Sequence, residues 1–338
     1  MKTGILLVNL GTPDSPRTPD VRRYLREFLS DRRVLDINPI GRWALVNLII
    51  APFRGPKSAK LYSHIWTGEG SPLLIHGLAL TRKLQASLGD DYVVAFGMRY
   101  QNPALETALD VLRKALVDRI VVVPLYPQYS SAANGSTIEA VMKVISKWEI
   151  TPDISIISRF HEHPAYLKAL TETAAPFNHN DYDHVLFSFH GIPERQITKG
   201  DANYGSGECK FGACCETLHS GNRYCYRANC VQTARALARN LGISEDRYTI
   251  SFQSRLGSTP WVKPYSDKVI EELGKKGVKK ILAFSPAFVA DCLETIHEIG
   301  TEYDELLQEH GGEKVQLVPS LNSNDYWVEA LKEIVREK

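Results

Sequence analysis

His190 stands directly after the apolar run Val185-Leu186-Phe187-Ser188-Phe189 and before Gly191-Ile192-Pro193-Glu194-Arg195. A strand followed by a glycine turn would deliver the imidazole to the end of a sheet, where a neutral ring can take a proton near pH 7. A histidine that only hydrogen-bonds its loop is the plainer alternative. Further along, Glu294, Glu298 and Glu302 recur every four residues, which puts three carboxylates on one helical stripe. On a solvated face such a stripe is ordinary. Here it follows a strand and Pro286-Ala287-Phe288, so its first turn is expected to face the same ligand as His190. Mutual repulsion in a buried setting would raise the carboxyl pKa values and let the acids hand protons along.

Arginines and aromatics form a second set. Phe252-Gln253-Ser254-Arg255 followed by Trp261 sets a cation beside an aromatic lip, and Met98-Arg99-Tyr100, Tyr126-Pro127-Gln128-Tyr129-Ser130, Tyr62 and Trp66 add more from the first half. Walls of that kind suit a flat apolar ligand with anionic edges. A third set is sulfur: five of the six cysteines, Cys209, Cys214, Cys215, Cys225 and Cys230, fall in the pattern C-x4-C-C-x9-C-x4-C. Unligated thiols, zinc held by four thiolates and a [2Fe–2S] cluster all fit such a run. So many thiols in one short segment favour a metal. Cys292 is expected in the packed core.

These groups need a scaffold. Short β-rich apolar runs at 5–9, 92–96, 119–123 and 154–157, then 185–189, 248–252, 280–284 and 315–318, alternate with helical periods at 21–29, 73–88, 103–115, 136–147, 164–174, 231–240, 291–307 and 324–337. The alternation implies βαβ units and parallel sheets. Four strands fall before about residue 157 and four after, with a junction near 148–153 that contains Pro152. The expected architecture is therefore α/β, with two similar Rossmann-like, doubly wound domains facing across a cleft, each built on a parallel four-stranded sheet. Residues 1–152 form the first, with an apolar lip. Residues 153–319 form the second, carrying His190, the acidic helix and a cysteine-rich insertion at 205–230, while 320–338 is a candidate to pack back on the first half. No G-x-G-x-x-G follows the first strand and no Walker sequence occurs, so a nucleotide cofactor is not expected.

Lysine plus arginine number 40 against 39 acids, with no long run of one sign, which argues against nucleic acid as a partner. The longest apolar stretch, 43–53, is interrupted by Asn47 and falls short of the roughly 20 residues that cross a bilayer. It reads either as a buried helix or as a lip that dips into a membrane surface. A chain of this size with clustered cysteines and no export signal is expected in the reducing cytoplasm.

The segments Leu7-Val8-Asn9-Leu10-Gly11-Thr12-Pro13, Tyr24-Leu25-Arg26-Glu27-Phe28-Leu29-Ser30-Asp31, Gly97-Met98-Arg99-Tyr100, Pro124-Leu125-Tyr126-Pro127-Gln128-Tyr129-Ser130, Phe187-Ser188-Phe189-His190-Gly191-Ile192-Pro193, Phe252-Gln253-Ser254-Arg255 and Pro286-Ala287-Phe288 through Glu294-Thr295 span nearly the whole chain. In this set and order the sequence resembles the ferrochelatases that use protoporphyrin. The resemblance implies a chelatase-like fold and insertion of Fe2+ into protoporphyrin IX, with loss of the pyrrole protons and a ring bent toward a saddle, as the terminal step of haem biosynthesis. It implies that His190 abstracts protons or handles the metal, that Glu294 is its acidic partner, and that Glu298 continues the acidic path. Fe2+ as substrate would meet His190 and Glu294, with the division of roles open. Arg99, Tyr100, Tyr126, Ser130, Arg255 and Trp261 would contact the porphyrin, the arginines at propionates or loop carboxylates.

Some ferrochelatases carry a [2Fe–2S] cluster, so the resemblance favours the cluster over zinc, held by Cys209, Cys225, Cys230 and either Cys214 or Cys215. It also implies a cytoplasmic enzyme that can rest peripherally at the inner face of the membrane. Two other readings stay open. One is a chelatase for another tetrapyrrole, such as coproporphyrin or sirohydrochlorin, against which the Asn9-Leu10-Gly11-Thr12-Pro13 opening and the lip both argue. The other is a non-catalytic sensor that binds haem or an iron–sulfur cluster.

Overall fold

The computed structural model describes residues 2–207, 209–257 and 259–338. Among them are eight strands: β1 (Thr3–Gly11), β2 (Tyr92–Tyr100), β3 (Arg119–Pro124), β4 (Asp153–Ile156), β5 (His184–His190), β6 (Tyr248–Gln253), β7 (Lys280–Phe284) and β8 (Lys314–Leu317). They form two four-stranded sheets, ordered β2-β1-β3-β4 and β6-β5-β7-β8, and every ladder is parallel. The α/β class and the two parallel sheets expected from the alternation are present. Both sheets have the same order, so each reverses direction beside its first strand, where such folds bind ligands.

The chain divides into two compact units. The first comprises the chain up to Tyr126 together with Ser131–Arg159 and Asn322–Lys338. Its central strand β1 buries Ile5, Leu6, Leu7 and Val8 completely, an unbroken apolar run because helices cover both faces of a parallel sheet. On one face Leu6, Val8, Ile120 and Val122 pack against Leu109, Leu112, Val141 and Ile145. β1 ends at Gly11, with φ +129°, where a Cβ would lie 2.2 Å from the Tyr100 carbonyl oxygen. Glycine is therefore required by both conformation and space. The closing helix Asp325–Arg336 is capped by Asn324, whose Oδ1 accepts the Trp327 N–H at 2.8 Å, and it packs against helix Pro72–Leu88.

The second unit comprises Pro127–Ser130 and Phe160–Leu321. Here β5 occupies the place of β1, with His190 paired in register with Gln253 at the end of β6. Its core packs Leu186, Ile281 and Ala283 against Ile270, Ile299, Tyr303 and Leu307.

Three segments wind more widely than an α-helix: Leu45–Arg54, Ser131–Gly135 and Glu294–Glu302 are π-helical. The period at 291–307 predicts a plain α-helix; instead α geometry begins only at Tyr303–Glu309. In Leu45–Arg54 the internal Pro52 removes an N–H and crowds the preceding turn, and the wider turn accommodates it. This segment and helix Pro39–Ala44 carry the apolar stretch. Val46 and Ile50 bury against Leu29, whereas Ile40, Trp43, Leu48, Ile49 and Phe53 are 55–80% exposed, so the stretch is not an ordinary buried helix. Helices Gly55–Ile65 and Glu194–Tyr204 are additional to the expected set. The second replaces an expected turn and buries only Ile197 among its own residues, leaving too faint an apolar period to read. No helix among the described residues is long and apolar enough to cross a membrane.

Candidate active site and thiol cluster

In the second unit the strand order reverses at β5 and β7, and the candidate chemistry collects beyond their carboxyl ends. His190 is the last residue of β5. Its Nδ1 lies 2.6 Å from the Gly191 carbonyl oxygen. A carbonyl can only accept, so Nδ1 carries the hydrogen and the neutral ring keeps its lone pair on Nε2. The Trp261 and Phe288 rings lie 6.5 and 6.1 Å from the imidazole. The His190 carbonyl accepts from the Tyr226 hydroxyl at 2.7 Å. Gly191 donates its N–H to the Gln253 carbonyl at 2.8 Å, and a Cβ there would stand 2.8 Å from that oxygen and 3.1 Å from Trp261. The glycine thus allows the turn to lie against both neighbours.

Gln253 is the hub. Its side chain accepts from Ser188 Oγ at 2.7 Å and donates to the Glu294 carbonyl oxygen at 2.9 Å and to Glu298 Oε2 at 3.1 Å. One buried amide therefore joins the histidine strand to the acidic helix. Glu298 also accepts from the Ser254 N–H at 2.8 Å, the Ser254 hydroxyl, and the Tyr303 hydroxyl at 3.0 Å. Four donors occupy the acceptor capacity of a carboxylate. Ser254 holds the left-handed conformation, φ 64°, at a cost of about 1–3 kcal/mol for a non-glycine residue, which its two bonds to Glu298 help offset.

The π turn alters the stripe inferred from four-residue spacing. It stacks residues five apart, so Tyr303 reaches Glu298, and His297 Nε2 reaches Glu302 at 3.3 Å. Burial pushes the Glu302 carboxyl above its ordinary range; the His297 charge offsets part of this, and Glu298 and Glu305 add to it. Cys292 lies in the core as expected, its thiol pushed up by burial and then by the charge of Glu294.

The expected ligand contacts fall into two groups. In the second unit, Trp261 donates Nε1–H to the Leu256 carbonyl at 2.9 Å, and Ser130 is buried. Arg255 pairs with Asp267 at 2.7 Å and lies over the Tyr265 ring at 4.4 Å. In the first unit, Arg99 bonds Asp31 at 2.7 Å and Ser136 Oγ at 2.7 Å, and the Tyr100 hydroxyl donates to Asp31 at 2.9 Å. The Arg99 charge is thus matched locally by an acid whose role the sequence reading missed. The Tyr126 hydroxyl is buried with no hydrogen-bond partner among the described residues, and burial pushes it well above the usual phenol range.

All six cysteines are free thiols. Cys214 and Cys215 Sγ are 3.9 Å apart, Cys209 faces Cys214 and Cys215 faces Cys225. The neighbouring Cys225 thiol, with burial opposing and Arg227 assisting, holds the Cys215 thiol below its ordinary value. The donor set suits a thiolate-bound metal. A four-thiolate zinc site, with Zn–S near 2.3 Å, would draw all its sulfurs to about 3.8 Å of one another, yet among the described residues no three of these sulfurs lie within 4.8 Å of each other.

A Bacillus subtilis subspecies spizizenii protein, the sirohydrochlorin chelatase SirB in complex with cobalt, superposes with TM-score 0.55 at 13% identity, covering 100% of this chain and 95% of its own. SirB from Bacillus subtilis with Fe3+ gives TM-score 0.52 at 14% identity, covering 100% and 95%. At that identity the likeness concerns the fold alone. The ferrochelatase from Legionella pneumophila (strain Paris) is 46% identical over 338 residues, 100% of both chains. That from Coxiella burnetii (strain CbuG_Q212) is 45% identical over 343, covering 99% of this chain and 94% of its own. The ferrochelatase family profile matches residues 2–338, and the chain belongs to the ferrochelatase family, enzymes of haem biosynthesis that insert ferrous iron into a porphyrin.

Proposed function

We propose that this enzyme metallates protoporphyrin IX with Fe2+ beyond the end of β5, His190 acting as the base, to give protohaem in the terminal step of haem biosynthesis. The observation that supports this most is the His190 tautomer: Nδ1–H is committed to the Gly191 carbonyl, so Nε2 is the basic nitrogen, flanked by Trp261 and Phe288. As iron binds the two nitrogens that carry hydrogen, each N–H electron pair stays on its nitrogen and the proton leaves to the imidazole, which passes the first on before it takes the second. Glu294, whose carbonyl is tied to the same hub, is the partner carboxylate for the incoming Fe2+ or for the proton that His190 passes on. Glu298 acts through Ser254 and Gln253 as a positioning carboxylate, and Glu302 is suited to hold a proton further along the stripe.

Trp261 and Arg255 are candidate porphyrin contacts, whereas Arg99 and Tyr100, both tied to Asp31, and the buried Ser130 and Tyr126 would shape a wall. Four of the five clustered thiols hold a [2Fe–2S] cluster, which when bound supplies a redox-active centre and ties the insertion together. The exposed apolar segment rests on the inner face of the membrane from the cytoplasm.

The test is anaerobic mixing with ferrous iron and protoporphyrin IX, following porphyrin absorbance and fluorescence. Wild type should metallate the ring, and His190→Ala should slow insertion at least about 100-fold. A variant as fast as wild type would remove His190 from the chemistry. A wild type that binds haem tightly without turnover would favour the sensor, and faster turnover of coproporphyrin or sirohydrochlorin would reassign the substrate.

A further inference from the structure

We infer that Ser188, Ser251 and Ser266 form a one-way chain of hydrogen bonds that anchors the Gln253 amide, and so act as positioning residues for the Glu294–Glu298 turn. The inference rests on the reading that His190 and the glutamates do the chemistry, and it deepens that reading by giving a role to three hydroxyls behind them.

The three serines are completely buried. Ser188 and Ser251 stand opposite each other in the β5–β6 register, two residues before the pair His190 and Gln253, so all four side chains lie on one face of the sheet. Ser266 opens helix Ser266–Lys275 and meets both: its Oγ lies 2.9 Å from Ser188 Oγ and 2.8 Å from Ser251 Oγ. A serine at a helix start ordinarily serves to cap it. Here the N-cap is Tyr265, whose side chain makes no capping bond, and the Ser266 hydroxyl turns to the sheet instead. Packing alone gives no reason for these residues. Alanine fills nearly the same volume without a polar atom to desolvate, whereas a buried hydroxyl costs free energy unless it is bonded.

The direction of the chain follows from the groups at its end. Gln253 gives both amide hydrogens away, to the Glu294 carbonyl oxygen at 2.9 Å and to Glu298 Oε2 at 3.1 Å. A carbonyl only accepts, and so does an ionised carboxylate, so Nε2 faces the acidic helix and Oε1 faces Ser188. Ser188 therefore donates its one hydroxyl hydrogen to Oε1, at 2.7 Å. With that hydrogen committed, Ser188 can only accept from Ser266. Ser266, its own hydrogen committed in turn, can only accept from Ser251. All three hydroxyls point toward Gln253, and hydrogen bonds in such a row polarise one another.

Removing the Ser188 hydroxyl would leave Oε1 as a buried acceptor without a partner. The terminal amide torsion of glutamine is soft, so the amide would rotate to relieve it and swing its N–H groups off the acidic helix. That releases the Glu294 carbonyl and leaves Glu298 to the Ser254 and Tyr303 donors. None of the three hydroxyls is assigned to the porphyrin, so the loss should fall on turnover rather than on KM.

The experiment uses the full chain as Ser188→Ala, Ser251→Ala, Ser266→Ala and the double variant Ser188→Ala, Ser266→Ala. Isotopic labelling of the glutamine side-chain nitrogens gives the Gln253 amide resonance, identified by its loss in Gln253→Glu, and turnover with ferrous iron and protoporphyrin IX gives kcat and KM. Ser188→Ala should shift that resonance, speed its proton exchange with solvent at least about tenfold, and lower kcat about tenfold with KM within about twofold of wild type. The loss of kcat should fade along the chain, to about threefold for Ser266→Ala and under about twofold for Ser251→Ala. The double variant should turn over as slowly as Ser188→Ala and no slower, because members of one chain act through the same amide. An unmoved Gln253 resonance in Ser188→Ala, or a double variant slowed by the product of the two single losses, would overturn the inference. Should Ser188→Ala misfold, Ser266→Ala decides in its place, and a stationary Gln253 resonance there overturns it equally. A wild type that fails to metallate the ring would remove the chemistry assigned to His190, while the Gln253 resonance still decides whether the serines anchor the amide.

Discussion

Gln253 makes three side-chain hydrogen bonds while almost fully buried, and each joins a different part of the site: Ser188 within the histidine strand, the Glu294 backbone, and the Glu298 carboxylate. Leucine at this position would keep the volume and strand the partners. A buried polar group left without its bond costs about 1–3 kcal/mol, so Gln253→Leu is expected to lower unfolding free energy by about 3 kcal/mol in urea titrations. Gln253→Glu separates structure from function. It keeps the shape but sets a second carboxylate beside Glu298, and like charges raise the pKa of the pair. The acid limb of its pH–rate profile should therefore move to higher pH. A profile identical to wild type would mean that the Gln253–Glu298 contact does not influence the chemistry. The sequence marked His190 and the acids by type and spacing, but not this glutamine. Its role follows from the His190–Gln253 register, which depends on strand pairing between segments distant in sequence.

At the scale of elements, Asp31 joins three of them. It caps helix Thr18–Ser30, bonds Arg99 and Tyr100 at the end of β2, and accepts from Ser136 at the start of helix Ser136–Ile145. Burial pushes its carboxyl up, but hydrogen bonds from Ser136, the Arg33 N–H and Tyr100, with the Arg99 charge, overcome this and hold it below its ordinary value. A carboxyl depressed in the folded state contributes its full stability above its unfolded pKa of about 3.9 and loses it as the pH falls through the folded value. First-unit stability should therefore drop below about pH 4, and Asp31→Asn should flatten that drop while costing about 3 kcal/mol at neutral pH, where Arg99 loses its partner. Urea titrations at neutral and acidic pH would show it; equal pH slopes in variant and wild type would refute it.

Strand positions were legible in the sequence because sheets covered on both faces demand short unbroken apolar runs. The π-helices were not. Residues four apart look alike whether the turn is α or π, and the π turn at Glu294–Glu302 occurs where Ser254 and Gln253 bond the Glu298 side chain and the Glu294 carbonyl, contacts that local sequence does not show. Helix Glu194–Tyr204 escaped for a different reason, since it has little apolar surface to bury.

Across the whole molecule the same four-strand order occurs twice, yet the catalytic candidates and thiols lie in the second unit and the large exposed apolar side chains of helix Pro39–Ala44 and segment Leu45–Arg54 lie in the first. Sequence alone left that segment between a buried helix and a surface lip; Trp43 at 60% and Phe53 at 72% exposure favour the lip. Val46 and Ile50 anchor it from below, so the exposed rings are held rather than loose, and exposed Arg54 and Lys57 flank them. On the proposed membrane contact, such a face would bind a lipid surface through apolar burial assisted by attraction to anionic headgroups. Burying one large side chain gives about 1.5–3 kcal/mol, so the double variant Trp43→Ser, Phe53→Ser should bind anionic phospholipid vesicles at least about 100-fold more weakly in sedimentation. High salt should weaken wild-type binding only in part, since the apolar contribution is not screened. Equal sedimentation of both proteins would detach this face from the membrane and leave its rings to the porphyrin.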